Sequence, residues 1–242
     1  MAHPIRRGDA ADAGQVFLIG LFVTALATAQ VTASKLLAFS IPISLPHAGE
    51  ALILPGAALA YAMTFFASDC YSELYGRRAA TVMVNVGFAM NFVVLVLVWS
   101  TIASPVAAAS PVGADTFATV LGASTNIVVG SLLAYVVSQN WDVFAFHWLR
   151  EATDGEALWL RNVVSTATSQ AIDTVIFISV AFLVAPMVLG TGGDLEPPII
   201  FALIVGQYAF KLLVAIADTP FVYAVVAAVE SYETGREAAV ES

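Results

Sequence analysis

Charge is scarce in this sequence: 11% of its 242 residues are Asp, Glu, Lys or Arg, against 60% hydrophobic. With a mean hydropathy of +0.87, the chain has too little polar surface to cover a water-soluble globule. Cysteine is scarcer still. Cys70 stands alone, which excludes an intramolecular disulfide and a cysteine metal cluster. Signatures of nucleotide and hydrolytic chemistry are missing too. No G-x-x-x-x-G-K-[ST] loop is present, so the chain has no Walker site of its own for ATP. His3, His47 and His147 are scattered, without an H-E-x-x-H pattern, and no G-x-S-x-G elbow occurs. "TGGD" at 191–194 lacks the first glycine of a G-x-G-D intramembrane protease motif. Basic residues are outnumbered nine to eighteen, for a net charge of −9, which argues against nucleic acid or an anionic membrane surface as the main partner.

Apolar runs fill the space these absences leave. Six segments stand out, at about 16–39, 51–68, 80–103, 117–139, 163–185 and 199–227. A hydrocarbon layer of about 30 Å needs about 20 apolar residues per helix, and in lipid the backbone must satisfy its own hydrogen bonds. The expected fold is therefore all-α and polytopic, a single membrane domain over 1–242 with no separate soluble part. The polar start "MAHPIRRGDAADAGQ" leads into a run without a cleavage-type end, so it reads as the approach to a first span and not as a signal peptide. Pro105, Pro111, Pro186, Pro197 and Pro198 fall in the expected loops, while Pro55 and Pro220 fall inside spans as candidate kinks. Tryptophans in "NWDVFAFHWLREATDGEALWLRN" suggest a short interfacial helix at 141–150. No internal repeat is strong enough to indicate inverted halves.

The arginines test this map independently. Arg6 and Arg7 precede the first span, Arg77 and Arg78 separate the second and third, Arg150 and Arg161 separate the fourth and fifth, and Arg236 follows the sixth. The other three connections contain no Lys or Arg. The positive-inside rule then puts both termini in the cytoplasm, as for a multi-pass protein of the cell membrane. The two remaining basic residues, Lys35 and Lys211, lie within spans.

Ionisable groups at membrane depth need a partner, a wet cavity or a function. Asn91, Asn126, Asp173 and Lys211 come near the midplane, with Gln170 and Gln207 about one turn away. Gln170 and Asp173 are three apart and Gln207 and Lys211 four apart, so each pair shares a helix face. Asp69, Glu73 and Asp142 lie nearer the cytoplasmic helix ends. Blander readings compete with a site. Asp173 and Lys211 could neutralise each other and lock two helices together. Asp69 and Glu73 could be a solvated helix end answering Arg77 and Arg78. Asn85 and Asn91 suit helix-to-helix hydrogen bonds, Ala57, Ala58, Ala60 and Ala62 suit helix packing, and Tyr61, Phe65, Phe66 and Tyr208 suit core or lipid contact. A solute carrier fits these features better than an intramembrane enzyme, and no cofactor is expected.

Four stretches resemble the vitamin-uptake-like queuosine precursor transporters: "SDCYSELYGRRAA", "ASTNIVVGSLLAYVVSQNWDVFAF", "LWLRNVVSTATSQAIDTVIF" and "KLLVAIADTPFVY". The resemblance runs in order over roughly 29–223. In the first span "AQVTASK" departs from the family, placing Gln30 and Ser34 where asparagines are usual ahead of the lysine. The resemblance implies import of a 7-deazaguanine base, such as 7-cyano-7-deazaguanine, used to make a modified nucleoside of transfer RNA. Asp69, Glu73, Asn126, Asp142, Gln170, Asp173, Gln207 and Lys211 are then the candidate substrate residues. Asp173 or Asp69 would take the amine edge of the base, and Gln170, Gln207 or Lys211 its carbonyl. Transport would be driven by a proton or solute gradient, with Asp69, Glu73 or Asp173 as titrating carboxylates, or the chain would be the substrate-binding membrane subunit of an energy-coupling-factor system docked on an ATPase module. A homo-oligomer is the other partner to expect.

Overall fold

A computed structural model describes residues 13–45, 47–153, 158–190 and 195–240. Arg6, Arg7, the "TGGD" stretch and the side chains of Arg161 and Arg236 lie outside the described residues. The first helix, α1 (Ala13–Thr32), stops well short of the expected end at 39. A β-hairpin comes next, β1 (Leu36–Leu45) paired antiparallel with β2 (Gly49–Pro55), with Leu36 opposite Pro55 and Ser40 opposite Ala51. The expectation of two helical spans through 39 and from 51 is thus corrected, and the fold is predominantly helical, not purely so. The physical reason lies in the sequence period. Phe39, Ile41, Ile43 and Leu45 alternate with Ser40, Pro42 and Ser44, which suits a strand and not a helix. Pro42 has no N–H to give the ladder, and the register slips between Ser40 and Leu45 around it. Pro55 closes β2 and kinks no helix.

Leu52 and Leu54 are buried and turn the hairpin's inner face against Ala58 and Phe210. α2 (Ala57–Tyr75) starts immediately after β2, and a single residue, Gly76, joins it to α3 (Arg77–Ala103). Gly76 has φ 86°, a left-handed value that a Cβ would oppose. α4 (Ala114–Gly122) and α5 (Ser124–Ala152) meet at Ala123 and together make up the fourth span, one stretch over Ala114–Ala152 that is longer than the expected 117–139. Residues 141–150 form no separate interfacial helix but continue α5. Side-chain bonds to the next helix explain this: Trp141 Nε1 donates to Thr168 Oγ1 at 2.9 Å, and Ser169 Oγ donates to Asp142 Oδ1 at 3.3 Å.

α6 (Leu158–Ser179) runs on through a π-helical turn at Val180–Val184 into α7 (Ala185–Leu189). Pro186, expected in a loop, lies inside this helical run. Its ring would crowd the carbonyl four residues back, at Phe182, and the widened turn takes up that strain. Gly190 ends the run at φ 65°. α8 (Pro197–Val240) begins on two prolines, which suit the first helical turn, and contains Pro220 in its interior.

Among the described residues five helical stretches are long and apolar enough to cross a membrane: Gly14–Thr32, Arg77–Ala103, Ala114–Ala152, Val163–Leu189 and Pro197–Val229. The chain is a helical polytopic membrane protein. α2 is not among the five, because Thr64, Ser68, Asp69, Ser72 and Glu73 lower its apolar content. It is nonetheless held between α1, α3 and α8. Small residues allow the helices to approach closely: Ala29, Ala33, Ala57, Ala134 and Ala181 sit in one cluster with Ile127, Ile178 and Leu203. Ala57 and Ala58 are buried as the packing reading expects.

Candidate functional site

Two cavities are stacked along the bundle. The inner one, about 180 Å³, is lined by residues from α1, α2, α3, α5, α6 and α8. The second, about 780 Å³, opens to the surface and is lined, among the described residues, by α2, α6 and α8. Phe65, Gln170 and Lys211 line both and form the partition between them. Along all three shared helices the order is the same. On α2 the inner cavity takes residues from Tyr61 and the vestibule reaches Glu73; on α8 the inner cavity takes Gln207 and the vestibule reaches Tyr223; on α6, which runs the other way, the vestibule begins at Val163 and the inner cavity ends at Phe177. The vestibule thus opens at the end of the bundle that carries Arg77 and Arg78.

Lys211 and Asp173 are the charged residues of the inner cavity. Lys211 Nζ donates to Asp173 Oδ2 at 2.5 Å, with side chains 10% and 27% exposed, so the pair is largely shielded from water. Ser138 Oγ donates to the other carboxylate oxygen at 3.4 Å. Pairing and a void therefore coexist. A carboxylate offers about four acceptor positions and an ammonium three donors, so both groups keep capacity for a ligand. Gln207, 3% exposed, has an Oε1 without a partner among the described residues. A buried acceptor of that kind costs free energy until a donor meets it. Tyr61 OH and Ser131 Oγ, both on the cavity wall, are 3.2 Å apart. The Phe88 and Tyr135 rings stack with centroids 4.4 Å apart, and Tyr135 OH donates to Asn85 Oδ1 at 3.0 Å, which fixes that wall.

Of the candidate residues, Gln170, Asp173, Gln207 and Lys211 come together at the inner cavity, as the shared helix faces suggest. Asp69 and Glu73 line the vestibule, where they face solvent. The ion pair of Glu73 with Arg77 or Arg78 is not formed among the described residues. Asn126 is buried within α5 and lines neither cavity. Asp142 also lines neither. It accepts the bond from Ser169 and thereby ties α5 to α6. Several wall residues have no site reading from sequence. Asp218 joins Asp69 and Glu73 in the vestibule, and Tyr61 and Phe65, read as core or lipid-facing, line the inner cavity. A signal for the latter exists. Tyr61, Phe65, Asp69 and Glu73 recur every four residues, a stripe down one side of α2.

A family profile described as "Putative vitamin uptake transporter" matches residues 55–225. That stretch holds the lining of both cavities except Phe22 and Leu26 of α1. The "Probable queuosine precursor transporter" of Bacillus subtilis (strain 168) is 32% identical over 165 residues, which cover 68% of this chain and 68% of that protein. No solved structure matches.

Proposed function

The chain belongs to the vitamin uptake transporter family, and on that basis we propose that this membrane transporter imports a 7-deazaguanine base, a precursor of queuosine-type nucleosides. The observation that carries the reading is the inner cavity. It combines an acceptor, Asp173, and a donor, Lys211, with the amides of Gln170 and Gln207 and with aromatic walls. A guanine-like edge presents an N–H and an exocyclic amine beside a carbonyl oxygen. Asp173 and the unpartnered Gln207 Oε1 answer the N–H groups, and Lys211 or the Gln170 amide answers the carbonyl. Phe65, Phe88 and Tyr135 cover the flat face. Size agrees. Pockets for drug-sized ligands run from about 300 to 1,000 Å³, so about 180 Å³ suits a bare bicyclic base better than a nucleoside.

In this reading the chain is one membrane domain in the cell membrane with six crossings, α2 supplying the sixth. Both termini and the vestibule face the cytoplasm, because Arg77, Arg78 and Arg150 lie at that end and the outer connections lack basic residues. The hairpin then caps the outer end, and imported base leaves through the partition of Phe65, Gln170 and Lys211.

A binding titration of the purified protein tests the substrate. The expected result is saturable binding of a 7-deazaguanine base and at least about tenfold weaker binding of its nucleoside, a difference of about 1.4 kcal/mol. Equal binding of base and nucleoside, or no binding of either, overturns the proposal.

A further inference from the structure

Resting on that reading of the inner cavity, we infer that the site selects an uncharged base and rejects one whose 7-substituent is a cation. The substituent can be a nitrile, a hydrogen or a hydroxymethyl group, all neutral, or an aminomethyl group, an alkylamine that is protonated at neutral pH.

The charge inventory of the cavity decides between them. Lys211 and Asp173 are its charged groups among the described residues, and the pair sums to zero wherever its proton sits. The rest of the polar lining is hydroxyl and amide. A ligand ammonium could reach a spare acceptor position of Asp173, but that carboxylate's charge is already balanced by Lys211 at Oδ2, so an extra positive charge would be left over. Displacing Lys211 would instead leave the lysine ammonium shielded and unpaired. Either way one uncompensated charge remains in a low-dielectric site, and that is costly. The cavity is small, about 180 Å³, so little water can stay beside a bound base to hydrate an ammonium.

Asp69, Glu73 and Asp218 pull the other way, since they draw cations toward the vestibule. They act through an open, solvated mouth where salt screens them. The desolvation inside the partition is not offset by charges outside it.

The test uses the full chain in lipid nanodiscs, titrated with 7-cyano-, 7-hydroxymethyl- and 7-aminomethyl-7-deazaguanine. Hydroxymethyl and aminomethyl are close in size, so their comparison isolates charge. The cyano and hydroxymethyl bases should bind at least about tenfold more tightly than the aminomethyl base, an effect of about 1.4 kcal/mol. Aminomethyl binding as tight as hydroxymethyl overturns the inference and leaves the substrate reading standing. Hydroxymethyl as weak as aminomethyl, with cyano tight, also overturns it by making size or polarity the discriminator. Binding of none of the three defeats the substrate reading itself. A second arm uses Lys211→Met, which frees the Asp173 carboxylate. The ratio of aminomethyl to hydroxymethyl affinity should rise at least about tenfold, a change that a purely structural lysine would not produce. An unchanged ratio in a folded variant overturns the inference. If the variant does not fold, the wild-type comparison alone decides.

Discussion

The inner cavity and the vestibule share three helices and three wall residues yet treat charge in opposite ways. Inside the partition the carboxylate of Asp173 is matched to an ammonium at 2.5 Å and to a serine hydroxyl. Outside it Asp69 and Glu73 face solvent in a space several times larger, and Asp218 stands half-buried beside them with its Oδ2 unpartnered among the described residues. The difference comes from dielectric. A charge taken from water must be compensated by the protein, whereas a charge left in water needs no partner. The same side-chain chemistry thus means different things at two depths of one bundle. An acid inside is bound into a pair that a ligand can engage, and an acid outside is a source of potential at the mouth.

Breaking the inner pair gives the largest expected effect. Asp173→Asn leaves Lys211 shielded without its counter-charge, and breaking a buried pair from one side costs about 3–5 kcal/mol. The melting temperature in detergent should fall, and base affinity should drop by about two orders of magnitude or more. Stability and recognition are separable here. Adding Lys211→Met to Asp173→Asn removes the orphaned charge, so the double variant should regain melting temperature without regaining affinity. Recovery of both would make the pair a helix clamp only.

The contrast can be sharpened from the wall behind Gln207. Its neighbour Gly206 meets the backbone carbonyl of Ile53 in β2 so closely that a Cβ there would collide with it. The hairpin therefore rests directly on α8 next to a cavity residue, while nothing comparable among the described residues backs the vestibule. Gly206→Val should push the hairpin away and cost about 1–3 kcal/mol of stability, as overpacking does. Base affinity should fall together with melting temperature because Gln207 moves with its neighbour. A lowered melting temperature with unchanged affinity would uncouple the hairpin from the site.

How much of this is legible in the sequence depends on whether residues act through local pattern or through distant partners. Helical spacing puts Gln170 with Asp173 and Gln207 with Lys211 on shared faces, and the structure joins the two faces at one void. The hairpin is written in the alternation from Phe39 to Leu45, but a test for long apolar runs reads strand and helix alike. Asn126 and Asp142 look like site residues in the sequence because depth and polarity do not say which way a side chain turns. Asp218 lies seven residues after Lys211 and so shares its face of α8, but which elements that end of the face meets, α2 and α6, is set by contacts far away in sequence. Pro186 reads as a loop residue because a π-turn that relieves a proline has no simple sequence sign.

The smallest expected effect comes from the vestibule. Asp69→Asn and Asp218→Asn each remove a charge that no described ion pair uses, so neither should destabilise the fold as Asp173→Asn does. Their influence on a base in the inner cavity passes through solvent, where the Debye length is about 8 Å at physiological ionic strength and about 3 Å at 1 M salt. For a neutral base the affinity should change by less than about twofold, within a few tenths of a kcal/mol. For the aminomethyl cation the loss should be larger at low salt and vanish at high salt. That salt dependence separates the two depths. A vestibule variant whose affinity for the neutral base falls about tenfold, and stays fallen at high salt, would mean that Asp69 or Asp218 reaches the ligand directly, and the partition at Phe65, Gln170 and Lys211 would not divide two sites at all.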